Sequence, residues 1–192
     1  MDISWEKRYQ SGQTGWDRGE TSANLLHWIK LELLKPCRIL VPGCGNGYEV
    51  VTLAQQGFDV VAIDIAPSPL DNLRAMLDAK GLQAELIQTD FLQWQAERPF
   101  NAIYEQTSLC ALQPELWSHY EQRLYNCLQQ AGQLFAQFMQ TDQEGGPPFH
   151  CDIAAMLSLF HSQRWQWSEQ YETQVEHYSG KFEKLYCLQK NS

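Results

Sequence analysis

Three glycines at alternate positions, Gly43, Gly45 and Gly47, follow the short apolar run Arg38-Ile-Leu-Val-Pro42 and lead into a helix-like segment at Tyr48. Backbone without side chains can approach a ligand closely there, and a helix start offers free amides. The spacing separates ligand classes. A dinucleotide fingerprint needs G-x-G-x-x-G, so that a pyrophosphate rests on the helix start. Counting from Gly43, the last glycine would fall at Tyr48; counting from Gly45, at Val50. A pyrophosphate site is therefore disfavoured, and a nicotinamide dehydrogenase with it.

Acids and amides recur where later strands should end. Asp64 closes the apolar run Phe58-Asp-Val-Val-Ala-Ile63. α/β sheets bind ligands beyond the carboxyl ends of their strands, and a carboxylate there can accept hydrogen bonds from both hydroxyls of a ribose. Thr89-Asp90-Phe91 follows the next run and could hold a purine ring by its edge and face. Glu105-Gln106 follows the fourth and is expected closest to the reacting atoms. Any one of these could be a plain turn or cap; four at one rim of a parallel sheet are better explained by one pocket.

The elements that must position these residues alternate along the chain. Strands are expected at 38–42, 58–63, 84–88, 100–104 and 133–139, the last with one less buried face because polar residues alternate in it. Helices are expected from Tyr48 to Gln56, ending at Gly57; from Ser68 or Pro69 to Lys80, ending at Gly81; from Pro114 to about Gln129; and from about Asp152 to Phe160. Two late strands, Arg164–Glu172 and Phe182–Gln189, are adjacent in order. The pattern predicts an α/β fold: a mostly parallel seven-stranded sheet with helices on both faces and an antiparallel pair at the C-terminus. A length of 192 residues suits one domain, with residues 1–30 as a partly helical, Trp-rich segment ahead of an αβ core over 38–192.

Composition narrows the partners. With 14 basic against 23 acidic residues the net charge is −9, so nucleic acid and anionic membrane surfaces are not expected partners. No apolar run approaches a membrane span, and Met1-Asp-Ile-Ser-Trp-Glu does not read as a signal peptide. The six cysteines form no CxxC pair, and no His, Cys and Asp cluster has metal-ligand spacing. A reduced, cytoplasmic, metal-free monomer is the expectation.

Together these residues resemble the thiopurine methyltransferase family, which also holds the thiol and halide methyltransferases, over almost the whole chain. The resemblance rests on Trp5-Glu-Lys-Arg-Tyr9 and Thr14-Gly-Trp-Asp17, on Leu40-Val-Pro-Gly-Cys-Gly-Asn-Gly-Tyr-Glu-Val50, on Gly57 to Asp64, and on Gly145-Gly-Pro-Pro-Phe149 and Phe182-Glu-Lys-Leu-Tyr186. It implies a Rossmann-like class I methyltransferase that uses S-adenosylmethionine and acts on a small-molecule methyl acceptor. Trp5, Tyr9 and Trp16 would cover the cofactor as part of a lid. Gly43 and Gly45, with Cys44 between them, would line its methionine part. Asp64 would bind ribose, and Asp90 and Phe91 would flank adenine. Thiopurine-methylating members carry an arginine after the acid of the fourth strand, where this chain has Gln106; the N-terminal segment leans towards the thiol and halide branch.

The implied chemistry needs little from the protein beyond orientation and exclusion of water, because the cofactor carries the activated methyl group. A thiol of low pKa is already partly thiolate and needs no strong base. The expected acceptor is thus a small soft nucleophile, a thiol or a halide- or thiocyanate-like anion. Its immediate neighbours would be Glu105 and Gln106, with Leu109 and Cys110 helping to exclude water. The histidines are scattered; His150 and His177, with Tyr178, are the best placed to face an acceptor. The rival readings are a thiopurine acceptor, an oxygen or nitrogen acceptor with Glu105 as general base, and cofactor binding without turnover, against which the pocket set is complete.

Overall fold

The computed structural model describes residues 4–168, 174–176 and 181–191. Contacts divide the chain into two units, Met1–Trp94 and Gln95–Ser192. The N-terminal segment belongs with the first three strands and the glycine turn, rather than standing apart from the core.

In the first unit, α1 (Trp5–Gln10) and α2 (Ala23–Lys30) precede β1 (Arg38–Pro42). Both helices start on serine caps: the side chain of Ser4 accepts from the Lys7 N–H and that of Ser22 from the Asn24 N–H. After β1 come α3 (Tyr48–Gln55), β2 (Asp59–Asp64), α4 (Pro67–Lys80) and β3 (Glu85–Gln88). The three strands pair in parallel in the order β3-β2-β1. All of β2 beyond Asp59 is buried, as a near-continuous apolar run covered on both faces requires. Pro67 in the first turn of α4 lacks only an amide that would have had no partner, and Gly81 stops the helix with φ of 64°.

The second unit holds β4 (Phe100–Gln106), α5 (Trp117–Cys127), β5 (Leu128–Gln140), α6 (Ile153–Leu159), β6 (Trp165–Trp167), β7 (Gln174–Glu176) and β8 (Phe182–Lys190). β4 and β5 are parallel; β8 runs antiparallel to β5, β6 and β7. The strand expected over Arg164–Glu172 is present as β6. Residues 169–173 lie outside the described residues, and β7 continues the pairing along β8.

Two expectations fail here for physical reasons. The long helix does not reach Gln129: a 3₁₀ turn at Pro114–Leu116 precedes α5, and Leu128 is already extended and paired with Phe100. β5 also lacks a less buried face, since every residue from Leu134 to Gln140 is buried. It lies between β4 and β8, and its glutamines are satisfied internally. Gln137 donates to the Tyr104 hydroxyl, and Gln140 to the carbonyls of Phe138 and Cys151.

Gly47, at the start of α3, has φ of 71°, and a Cβ there would lie 2.5 Å from Cδ2 of the fully buried Leu73 on α4. Gly57 has φ of 85° with open space around it. Gly57→Ala is expected to cost about 1–2 kcal/mol for the left-handed backbone alone. Gly47→Ala should cost about 2–4 kcal/mol, because Leu73 must also shift within a packed core. Urea unfolding of both variants checks this; equal losses would show that Leu73 yields freely.

Candidate active site

Hydrogen bonds link the glycine turn to the end of β2, and the end of β2 to the residue after β3. The Cys44 N–H donates to the Ile63 carbonyl at 2.9 Å, and the Thr89 N–H to the Asp64 carbonyl at 3.0 Å. The Asp64 carboxylate does more than project over the rim. Its Oδ2 accepts from the Gly45 N–H at 2.8 Å and its Oδ1 from the Ala66 N–H at 2.9 Å. One side chain therefore braces the turn after β1 and the turn after β2. Burial raises its pKa, while the amides of Ala66 and Gly45 hold it down. The Ile65 amide also lowers its pKa, and a carboxylate, with about four acceptor sites, can still accept a hydroxyl.

The N-terminal segment closes on this turn. A Cβ on Gly45 would lie 2.8 Å from the Tyr9 hydroxyl oxygen and would have to displace it, and the φ of 54° at Gly45 independently favours glycine. Tyr9 meets Trp16 edge-on with ring centroids 5.7 Å apart, and Trp16 meets Trp5 at 5.4 Å. Burial, with the charge of Asp64 nearby, pushes the Tyr9 phenol well up, so it stays protonated. The three expected lid residues thus form one aromatic cluster on the expected turn.

Polar anchors that were not anticipated from sequence hold the segment there. Glu6 accepts from the Ser68 hydroxyl at 2.5 Å and from the Ser68 N–H at 3.1 Å, so α1 caps the N-terminus of α4 across space. Hydrogen bonds to Ser68 hold its carboxyl below the usual range. The Asn46 amide donates to Asp17 and accepts from Asn72 at 3.0 Å. Thr21 and Thr52 share a hydrogen bond of 2.7 Å, and the Ser22 N–H donates to Glu49 at 2.9 Å. Glu6 and Asp17 stand inside motifs singled out for their tryptophans, and Asn46 stands between the glycines. Polar residues beside a glycine turn and a helix start were the available signal.

Other expected residues have local duties. Asp90 accepts from the Leu92 N–H and the Gln93 amide, both at 2.9 Å, and so shapes its own turn. Phe91 is buried, its ring 6.4 Å from that of Trp94. Cys44 is buried, and desolvation raises its thiol well above the ordinary value.

In the second unit, Glu105 is 1% exposed. Its Oε1 accepts from the Leu109 N–H at 2.8 Å and the Ser108 N–H at 3.1 Å, and its Oε2 is buried with no hydrogen-bond partner among the described residues. Burial raises its pKa to about 8, the Leu109 amide opposes, and the charge of Glu183 adds to the rise. It therefore holds a proton at neutral pH, which is the wrong state for a general base. Gln106 is half-buried and accepts from the Tyr104 hydroxyl at 2.7 Å. His150 shapes a loop, its Nδ1 accepting from the amides of Thr141 and Asp142 at 3.0 and 3.1 Å. His177 and Tyr178 lie outside the described residues.

Comparison with known proteins identifies the family and the fold. Residues 2–191 match the family model described as thiopurine S-methyltransferase. The chain is 32% identical over 153 residues to thiocyanate methyltransferase 1 of Brassica oleracea, covering 78% of this chain and 68% of that one. It is 32% identical over 188 residues to the thiopurine S-methyltransferase of Xanthomonas euvesicatoria pv. vesicatoria strain 85-10, covering 86% and 84%. Among solved structures, the 1,6-didemethyltoxoflavin-N1-methyltransferase of Burkholderia thailandensis superposes with a TM-score of 0.76 over 97% of this chain and 85% of that one, at 15% identity. The fold is that of the Rossmann-like methyltransferases, with a mostly parallel mixed sheet and antiparallel C-terminal strands.

Two outcomes follow from these contacts. Because the folded-state pKa of Glu6 is lowered, its hold on α4 is present above the ordinary carboxylate range and is lost as pH falls through the lowered value. Glu6→Ala should release α1 at neutral pH, so limited proteolysis within residues 1–20 accelerates and tryptophan emission shifts towards that of exposed indole. Unchanged cleavage would show that the aromatic cluster holds the segment unaided. For Glu105 the sign is opposite. The folded chain keeps a proton that the unfolded chain releases near 4.5, so stability declines as pH rises from there to about 8 and then levels. Glu105→Gln should lose that decline and exceed the parent in stability at pH 9, as read by urea unfolding at pH 5, 7 and 9. A parent curve flat between pH 5 and 9 would refute the assignment.

Proposed function

The chain belongs to the thiopurine S-methyltransferase family and is an S-adenosylmethionine-dependent methyltransferase, and from that premise we propose that its acceptor is a small soft nucleophile, a thiol or a thiocyanate- or halide-like anion. The observation that carries the choice is Gln106 at the end of β4: a neutral amide stands where thiopurine-methylating relatives are expected to have the forked cation of arginine. The plant relative named for thiocyanate supports the same choice.

The first unit suits the cofactor. Its turn places the Tyr9 hydroxyl against Gly45, and its buried Asp64 carboxylate can still accept a hydroxyl. In this reading Gly43, Cys44 and Gly45 line the methionine part, Asp64 takes the ribose hydroxyls, and Asp90 and Phe91 flank the adenine. Trp5, Tyr9 and Trp16 cover the site and keep water out, which strengthens an anionic nucleophile. When bound, S-adenosylmethionine supplies a methyl group on a sulfonium whose positive charge disappears as the acceptor's lone pair takes the carbon and the old bond's electrons return to sulfur. Gln106 orients the acceptor without neutralising it. Glu105 keeps its proton and supports the end of β4, so an oxygen or nitrogen acceptor that needs a base is not favoured.

The acceptor is a small molecule. A net charge of −9 disfavours nucleic acid as a partner, and we take the protein to act as a monomer. Among the described residues no helix is long and apolar enough to cross a membrane. The free cysteines suit a reducing compartment, the cytoplasm.

Labelled methyl transfer from S-adenosylmethionine to aryl thiols, hydrosulfide, thiocyanate, iodide and a mercaptopurine tests the proposal. Small thiols or anions are expected to outrun the mercaptopurine in kcat/KM. Gln106→Arg should move that ratio towards the mercaptopurine, by up to about tenfold if the cation gains one charged hydrogen bond. A parent enzyme that already prefers the mercaptopurine would overturn the proposal.

A further inference from the structure

We infer that Tyr104 and Gln137 lock the side chain of Gln106 with its carbonyl anchored and its two N–H bonds left for the acceptor, making this trio the device that selects an electron-rich acceptor. The inference rests on the acceptor reading above and goes further, because it says which atoms of Gln106 meet the substrate and what aims them.

The argument begins with register. Tyr104 and Gln106 are two apart on β4 and so share a face of the sheet. Gln137 on β5 is the register partner of Gln106. Tyr104 is 1% exposed and Gln137 2%, so two polar side chains are sunk in the core beside a half-buried third. Buried polar groups of this kind must satisfy one another.

They do so in one direction. The Gln137 amide N–H donates to the Tyr104 oxygen at 2.6 Å. The phenol has a single hydrogen, and it is given to Oε1 of Gln106 at 2.7 Å. The carbonyl end of Gln106 is thereby held, and the opposite end of a planar amide carries two donors. Donors in sequence polarise one another, so the chain strengthens its last member. Gln106 is the final residue of β4, and ligands of α/β sheets sit beyond the carboxyl ends of the strands. The next residue, Thr107, holds φ of 60°, rare for a β-branched residue and of a kind that clusters at functional sites. Glu105, on the opposite face, ties off the same strand end through the amides of Ser108 and Leu109.

A donor that is aimed but uncharged fits the chemistry. It can orient a thiolate or thiocyanate-like anion through one or two N–H contacts. It also stabilises that anion less than a guanidinium would, and stabilisation confined to the ground state slows attack. The methylated product is neutral and no longer calls for the donor, so it is held less firmly than the substrate.

Steady-state kinetics with thiocyanate or hydrosulfide, on the full chain saturated with S-adenosylmethionine, tests the inference. Tyr104→Phe keeps the ring and removes the anchor. It should raise the acceptor KM about three- to tenfold, the range of one neutral hydrogen bond, and leave kcat within about twofold. Gln106→Leu should raise KM at least as much. In the Gln106→Leu background, adding Tyr104→Phe should change KM no further, because Tyr104 acts through Gln106. A role confined to stability would lower the melting temperature and leave KM alone. An acceptor KM unchanged in a folded Tyr104→Phe variant, or the same rise in both backgrounds, overturns the inference and leaves the acceptor proposal standing. A parent enzyme that methylates no sulfur nucleophile and no small anion overturns both.

Discussion

The carboxylate of Asp64 is the contact on which the candidate cofactor site depends. It is a single buried side chain that accepts the amide of Gly45 on one oxygen and that of Ala66 on the other. Two turns from consecutive strands thus converge on one charge, and the residue expected to meet a ribose also sets the shape of the cradle around it. Replacing it removes a binding group and loosens two loops together, so geometry and affinity cannot be separated at this position. The Tyr9 hydroxyl over Gly45 extends the same logic: the N-terminal segment contacts the turn at a residue whose backbone favours glycine.

The second unit solves a different problem, which is how to end a buried strand in polar residues. One face of β4 ends in the Gln137–Tyr104–Gln106 chain, and the other in a carboxyl group capped by two backbone amides. A protonated Glu105 suits this position. An ionised acid there would stand beside Glu183 in a dry interior, at a desolvation cost that its two amides only partly offset.

Much of this was legible in the sequence, and the exceptions share a cause. The glycine turn and the acid at the end of β2 could be read because each is a residue type with one strong physical reason for its place, whereas the grouping of Trp5, Tyr9 and Trp16 came from the family resemblance. Glycine permits a left-handed backbone, and an acid at a buried strand end is costly unless it has partners. The anchors Glu6–Ser68 and Asp17–Asn46 were not legible, because a hydrogen bond between distant segments leaves no period in either. β5 misled for the same reason. Its glutamines alternate as on a solvated face, yet Gln137 is buried because Tyr104 on another strand is there to meet it. One ring nitrogen of His150 is committed to the backbone amides of Thr141 and Asp142, a local duty that its place near a family motif did not reveal.

The buried state of Cys44 has a bearing on self-protection. An enzyme that handles an activated methyl group for soft sulfur acceptors carries soft sulfur of its own, one atom of it in the very turn expected to hold the donor. Only the thiolate is a strong nucleophile. Burial and the neighbouring charge of Asp64 keep the Cys44 proton in place far above physiological pH. Burial first, and the carboxylate that braces the turn second, thereby make the protein's own sulfur a poor competitor for the methyl group.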